Sequence, residues 1–188
     1  MCGACKSGRV PRQVDHAARR RDIGAAVLRI AAERGFREAT IRAVAAAVGA
    51  STSQVTHYVS GRDELIRIAV RHEVEARQAQ VTELLAGSER PLRALVEWAV
   101  LGAGDEAQRV WLAIVLGART EPVVRGELEV FNGWWDAVVR RLVGSPGDAD
   151  VVDVLVDGLV LAGLEAPEEW PSGRRLRVVD AVLAPLGL

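Results

Sequence analysis

The chain has 188 residues, 49% of them hydrophobic, which is enough apolar matter for one or two compact domains. Its 24 Lys and Arg nearly cancel 25 Asp and Glu, but residues 1–73 hold 13 basic against 7 acidic side chains (net +6) and residues 74–188 hold 11 against 18 (net −7), so only the first part suits a polyanion. No apolar run is long enough for a signal sequence or a bilayer span, which leads us to expect a soluble cytoplasmic protein with no membrane partner.

Residues 1–17 read as a flexible basic arm carrying Lys6, Arg9 and Arg12, suited to tracking a DNA backbone or minor groove. Cys2 and Cys5 form a Cys-x-x-Cys in it, but without a second pair this spacing is a weak sign of redox chemistry or zinc. Residues 20–34 form an amphipathic helix with Ile23, Ala26, Val27, Ile30 and Ala31 on one face, ending at Gly35-Phe36.

Residues 40–65 are the most informative stretch and read as two short helices joined by a tight turn. Thr40 caps a helix whose apolar positions Ile41, Val44, Ala45 and Val48 follow helical spacing, and Gly49 supplies the left-handed residue that reverses the chain. Ser51 opens the next helix, with Gln54 three residues on completing a capping box before Val55 turns inward. In a helix-turn-helix this second helix enters the major groove. Thr52, Ser53, Gln54, Thr56, His57 and Tyr58 would then offer hydroxyls, an amide and a ring nitrogen to bases and phosphates, flanked by Thr40, Arg42, Ser51 and Arg62.

With Arg62-Asp63-Glu64-Leu65 opening a long helix after the reading helix, these elements resemble the N-terminal domain of the TetR family of bacterial transcription regulators. In that family the motif runs into a Leu-Tyr-x-x-Phe-x-x-Lys pattern, and the stretch here is Val55-Thr56-His57-Tyr58-Val59-Ser60-Gly61-Arg62. Thr56 stands where a phosphate-contacting tyrosine is usual, Val59 replaces a core phenylalanine, and Arg62 replaces the lysine that holds DNA backbone. The resemblance implies an all-α protein that binds a double-stranded operator as a homodimer and answers to a small-molecule effector.

Helical periodicity continues to the end, with no alternating strand pattern. A connecting helix spans 62–85, Gly87-Ser88 breaks it, and Pro91 starts a helix with Leu92, Leu95, Val96 and Ala99 inward. After a break at 102–104, Asp105 and Gln108 give a capping-box-like start to a helix over 110–118, and Thr120 with Pro122 starts a longer one to about residue 143. Ser145-Pro146-Gly147 reads as a turn, followed by helices over 148–164 and 172–186. The expected architecture is all-α: a three-helix helix-turn-helix domain over 18–61 and a helical effector-binding and dimerisation domain over 62–188. That second part is similar to the choline-responsive (BetI-type) repressors through Val110-Trp111-Leu112-Ala113, Phe131-Asn132-Gly133-Trp134-Trp135 and Val156-Asp157-Gly158-Leu159. In the family, the last two helices pair across a dimer axis. Here Val151, Val152, Leu155 and Leu159, with Leu176, Val179, Val182 and Leu183, carry apolar faces for such a pairing or for the chain's own core.

Residues 74–188 contain no His, Cys, Lys or Tyr, which leaves an acid-base or nucleophilic enzyme little to work with, so we expect no enzyme, no cofactor and no metal site. Trp98, Trp111, Phe131, Trp134 and Trp135 are the candidate effector pocket, though aromatics at helical spacing also fill cores. Trp134 and Trp135 project about 100° apart, so both cannot face one cavity equally. Glu97, Gln108, Arg119, Asn132 and Asp136 are the polar residues nearest them in sequence. Two functions follow: a ligand-responsive repressor, and a helical small-molecule sensor or interaction protein that has lost operator binding.

Overall fold

A computed structural model describes residues 16–102 and 104–186; Cys2, Cys5 and the basic arm up to residue 15 lie outside the described residues. The chain is all-α. Helix α1 (His16–Arg34) begins earlier than its apolar face suggests, and a 3-10 turn at Phe36–Glu38 leads to α2 (Ile41–Ala47), α3 (Thr52–Thr56) and α4 (Arg62–Ala86). The local signals between α2 and α3 act as their chemistry dictates. Thr40 Oγ1 accepts from Ala43 N at 3.1 Å, Gly49 sits at φ 62°, and both halves of the Ser51/Gln54 capping box form. Helix α3 stops at Thr56, so His57 caps it and Tyr58 lies in the turn beyond.

The remaining helices are α5 (Pro91–Leu101), α6 (Asp105–Gly117), α7 (Pro122–Val143), α8 (Pro146–Glu165) and α9 (Ser172–Leu183), followed by a 3-10 turn at Ala184–Leu186. Two expectations fail here for identifiable reasons. The start of α6 has no side-chain cap: Gly104 takes the N-cap position and Asp105 is already helical, while Gln108 is buried and its Nε2 donates 2.6 Å to Val100 O. Ser145-Pro146-Gly147 is not a free turn but the first turn of α8, where proline's missing N–H is no loss at the first helical position.

Two apolar clusters organise the helices. Ile23, Val27, Phe36, Val44, Val55 and Leu65 knit α1–α4 together, and the same cluster continues into Ile114 of α6, Ala118 just beyond its end, and Val124 and Phe131 of α7. The second joins the far end of α4, through Val81, to α5, α7, α8 and α9. Val152, Leu159, Val179 and Leu183 belong to this second cluster and face the chain's own core. The apolar residues that α8 leaves exposed are Val151, Val154 and Leu161, and Val154 is 73% exposed.

Helix α5 ends on an unusual anchor. Arg175 of α9 is buried and donates 2.8 Å to Val100 O, placing a cation against the negative end of α5 with no carboxylate partner among the described residues. The guanidinium fits because position 163 in α8 is glycine: a Cβ there would lie 2.6 Å from Arg175 Nη1. Gly163→Ala gains up to about 1 kcal/mol of helix propensity, but overpacking costs about 1–3 kcal/mol and disturbs a buried cation besides. Urea unfolding should therefore show net destabilisation. Gly133→Ala, at a helical glycine whose Cβ would meet nothing within 4 Å, should show stabilisation instead.

Candidate nucleic-acid interface and cavity

Helix α3 presents a polar surface. Thr52, Ser53, Gln54, Thr56 and His57 are exposed, as are Thr40, Arg42 and Ser51 beside them, while Val55 alone of α3 is buried. Several of these groups already have local partners. Thr40 Oγ1 serves α2, Ser51 Oγ and Ser53 Oγ lie 2.9 Å apart, and Thr56 Oγ1 donates to Ser53 O at 3.2 Å. Gln54 Oε1 accepts from Ser51 N at 2.9 Å, so its amide NH2 is the free end for a base. Tyr58 is half-buried, packing with His57 and with His16 of α1 at ring separations of 5.4 and 5.6 Å.

Arg62 is positioned differently from the exposed group. Its guanidinium donates to both carboxylate oxygens of Glu121, at 3.0 and 2.9 Å, and to Phe36 O at 2.7 Å. These hydrogen bonds hold the Glu121 carboxyl below its usual range and raise Arg62. The Phe36 ring packs onto Gly117, the last residue of α6, where a Cβ would collide with it. The α6–α7 connection is thus fastened to the first turn of α4 and to the segment before α2. A second tie lies along α4, where Arg71 donates to the buried Glu127 of α7 at 2.8 and 3.1 Å.

Helices α4–α8 line a cavity of about 590 Å³ that opens to solvent past Val115 and Leu161. Of the five aromatics singled out, Trp98, Trp111, Phe131 and Trp135 line it; Trp134 does not, and turns to a separate groove with Thr82, Leu85 and Arg141, as the 100° step between neighbours requires. The rings contact one another: Trp111 meets Phe131 edge-on at 4.5 Å, and Trp135 stacks on Phe131 at 6.1 Å. Among the polar neighbours in sequence, Asn132 and Asp136 reach the cavity, whereas Gln108 caps α5 and Glu97 pairs with Arg93.

Sequence reasoning missed three charged residues in the lining: Arg77, Asp153 and Asp157. Arg77 lies 4.4 Å from the Trp111 ring centroid and is bound by Glu73 at 2.8 Å and by Ala107 O; burial pulls its pKa down against the Glu73 charge. Asp153 accepts from Trp135 Nε1 at 2.8 Å. Packing around Asp157 and the Asp153 charge one turn away both push its carboxyl above the usual range, although the residue itself is exposed to solvent. The signal for the pair was present as two aspartates four apart on an otherwise apolar helix face. Among the described residues, no cluster of His, Cys, Asp and Glu could hold a metal ion, and no helix is long and apolar enough to cross a membrane.

No family model matches the sequence. The chain is 27% identical, over 90% of both proteins, to the HTH-type transcriptional regulator PksA of Bacillus subtilis. A candidate transcriptional regulator from Saccharomonospora viridis, solved in complex with choline, superposes with a TM-score of 0.76 at 18% identity, covering 89% of this chain and 96% of that one. A candidate TetR-family regulator from Rhodococcus sp. gives 0.68 at 20% identity, over 88% and 98%. The fold is that of the TetR-like regulators.

Proposed function

We propose that this chain is a ligand-responsive DNA-binding transcriptional regulator: a cytoplasmic repressor of the TetR family that grips a palindromic operator as a dimer and releases it when a small molecule fills the cavity. The observation that carries the reading is α3, a capped helix with one buried residue and an otherwise exposed polar surface, set in the basic part of the chain. The division of labour assigns residues 18–61 to DNA, and 62–188 to effector binding and dimerisation. The likeness to the choline-bound S. viridis protein supports a small-molecule effector, and with it the kinship to choline-responsive repressors that the sequence implies. Residues 74–188 contain no His, Cys, Lys or Tyr, which favours a binding protein over an acid-base or nucleophilic enzyme.

Helices α6 and α7 connect the two halves, since both line the cavity while the connection between them holds Phe36 and Arg62. An effector that prefers a shifted α6–α7 arrangement would move the reading helices away from their spacing of about 34 Å, and linkage requires operator DNA to weaken effector binding equally. One observation favours the alternative, a sensor without operator binding: Arg62 is committed to Glu121. Selection from random DNA with the purified protein separates the two. An enriched inverted repeat establishes the regulator, and no enrichment at low salt leaves the sensor.

Reading and positioning separate in the same assay. Gln54→Ala should relax sequence preference at one position by about 1–3 kcal/mol, whereas Arg42→Ala should weaken all DNA alike and flatten the salt slope. Because Gln54 also closes the capping box, a folded Gln54→Ala protein with unchanged preference across operator variants would assign it to the helix alone.

A further inference from the structure

The charges around the cavity do not balance. Arg77 is neutralised by Glu73 and lies over the Trp111 ring, so its guanidinium is spent on the protein and offers no anion site. Asp136, also in the lining, pairs with Arg140 at 2.7 Å. Asp153 and Asp157 are left, one helical turn apart on α8, and neither has an ion-pair partner among the described residues. Trp135 supplies Asp153 with one N–H and no positive charge. Two carboxylates that repel each other beside aromatic walls carry an unfavourable interaction that a positive guest relieves. The ring faces of Phe131 and Trp135 attract such a guest through their quadrupoles, while Trp111, already under the Arg77 guanidinium, adds apolar wall.

Resting on the effector reading of this cavity, we propose that its ligand is a lipophilic organic cation. The charged head sits at Asp153 and Asp157 on α8, and the apolar body lies against Trp111, Phe131 and Trp135. The two aspartates select charge, and the aromatic walls select size and shape. A cavity of about 590 Å³ exceeds the volume of a small ammonium ion, so aryl or branched alkyl ammonium compounds fit this class better than inorganic cations.

The test uses the full chain without DNA, so its outcome is independent of whether an operator exists. Tryptophan fluorescence or calorimetry would compare (3-hydroxyphenyl)trimethylammonium with its uncharged isostere 3-tert-butylphenol. The cation should bind at least tenfold more tightly. Asp157→Asn and Asp153→Asn should each weaken the cation fivefold or more while leaving the phenol within twofold, since the amide oxygen that Asp153→Asn introduces still accepts from the Trp135 indole. Thermal melts of both variants verify the fold. Equal affinities for the two probes, cation affinity unchanged in both variants, or no binding of either probe at millimolar concentration would overturn the proposal.

Discussion

Val154→Asp is expected to turn the proposed dimer into a monomer and to lower operator affinity by about 10²–10⁴-fold, the gain that joining two reading heads supplies. Val154 is 73% exposed, and Val151 and Leu161 on the same helix are 43% and 45% exposed, a stripe left open among the described residues, with Leu161 also at the edge of the cavity. A symmetric pairing through α8 would bury it twice, and an aspartate at its centre would place two carboxylates in apolar surroundings near the axis. Each would cost several kcal/mol, more than a marginal interface tolerates. Val130 of α7, 62% exposed, serves as the matched control. Sedimentation should show a monomer for Val154→Asp and a dimer for Val130→Asp, with half-site DNA bound equally weakly by both proteins. The reverse pattern would move the interface to α7.

The features legible in the sequence are those decided within a few residues. The Thr40 cap, the left-handed Gly49 and the Ser51/Gln54 box each depend on neighbours no more than four positions away, and each forms as expected. Where a residue had two available partners, tertiary packing chose. Gln108 could have supported the start of α6, but its side chain is buried and shares Val100 O with Arg175, because a buried amide needs a partner more than an exposed helix start needs a cap. Val179 and Leu183 could have met a second chain but fill the core of their own. The Asp153/Asp157 spacing is visible along α8, but the convergence of these charges with Arg77 and the aromatic rings was illegible for the same reason. Arg77, Asp153 and the aromatics come from separate helices, and no local pattern records that α4, α7 and α8 converge.

Glu121→Gln should give the second large effect, and its sign reports what Arg62 does. The Arg62–Glu121 pair spans 59 residues of sequence, and Glu121 is only 13% exposed. Removing the negative charge leaves Arg62 with Phe36 O and solvent, at a cost of about 1–3 kcal/mol. The depressed carboxyl contributes stability that is fully present above the unfolded glutamate value of about 4.3 and is lost as pH falls through the lower folded value, so the variant should lack that part of the acid limb. DNA binding separates two roles. If Arg62 is a phosphate contact held in reserve by Glu121, freeing it raises operator affinity, while Arg62→Ala lowers it. If the pair is only a strut that fixes α4 to the α6–α7 connection, both substitutions lower operator affinity. Effector response decides the rest: with the strut cut, saturating operator should change effector affinity by less than about threefold, because a ligand-driven shift of α6 and α7 no longer reaches the reading head. Anisotropy titrations of both variants, with and without effector, read all of these outcomes together.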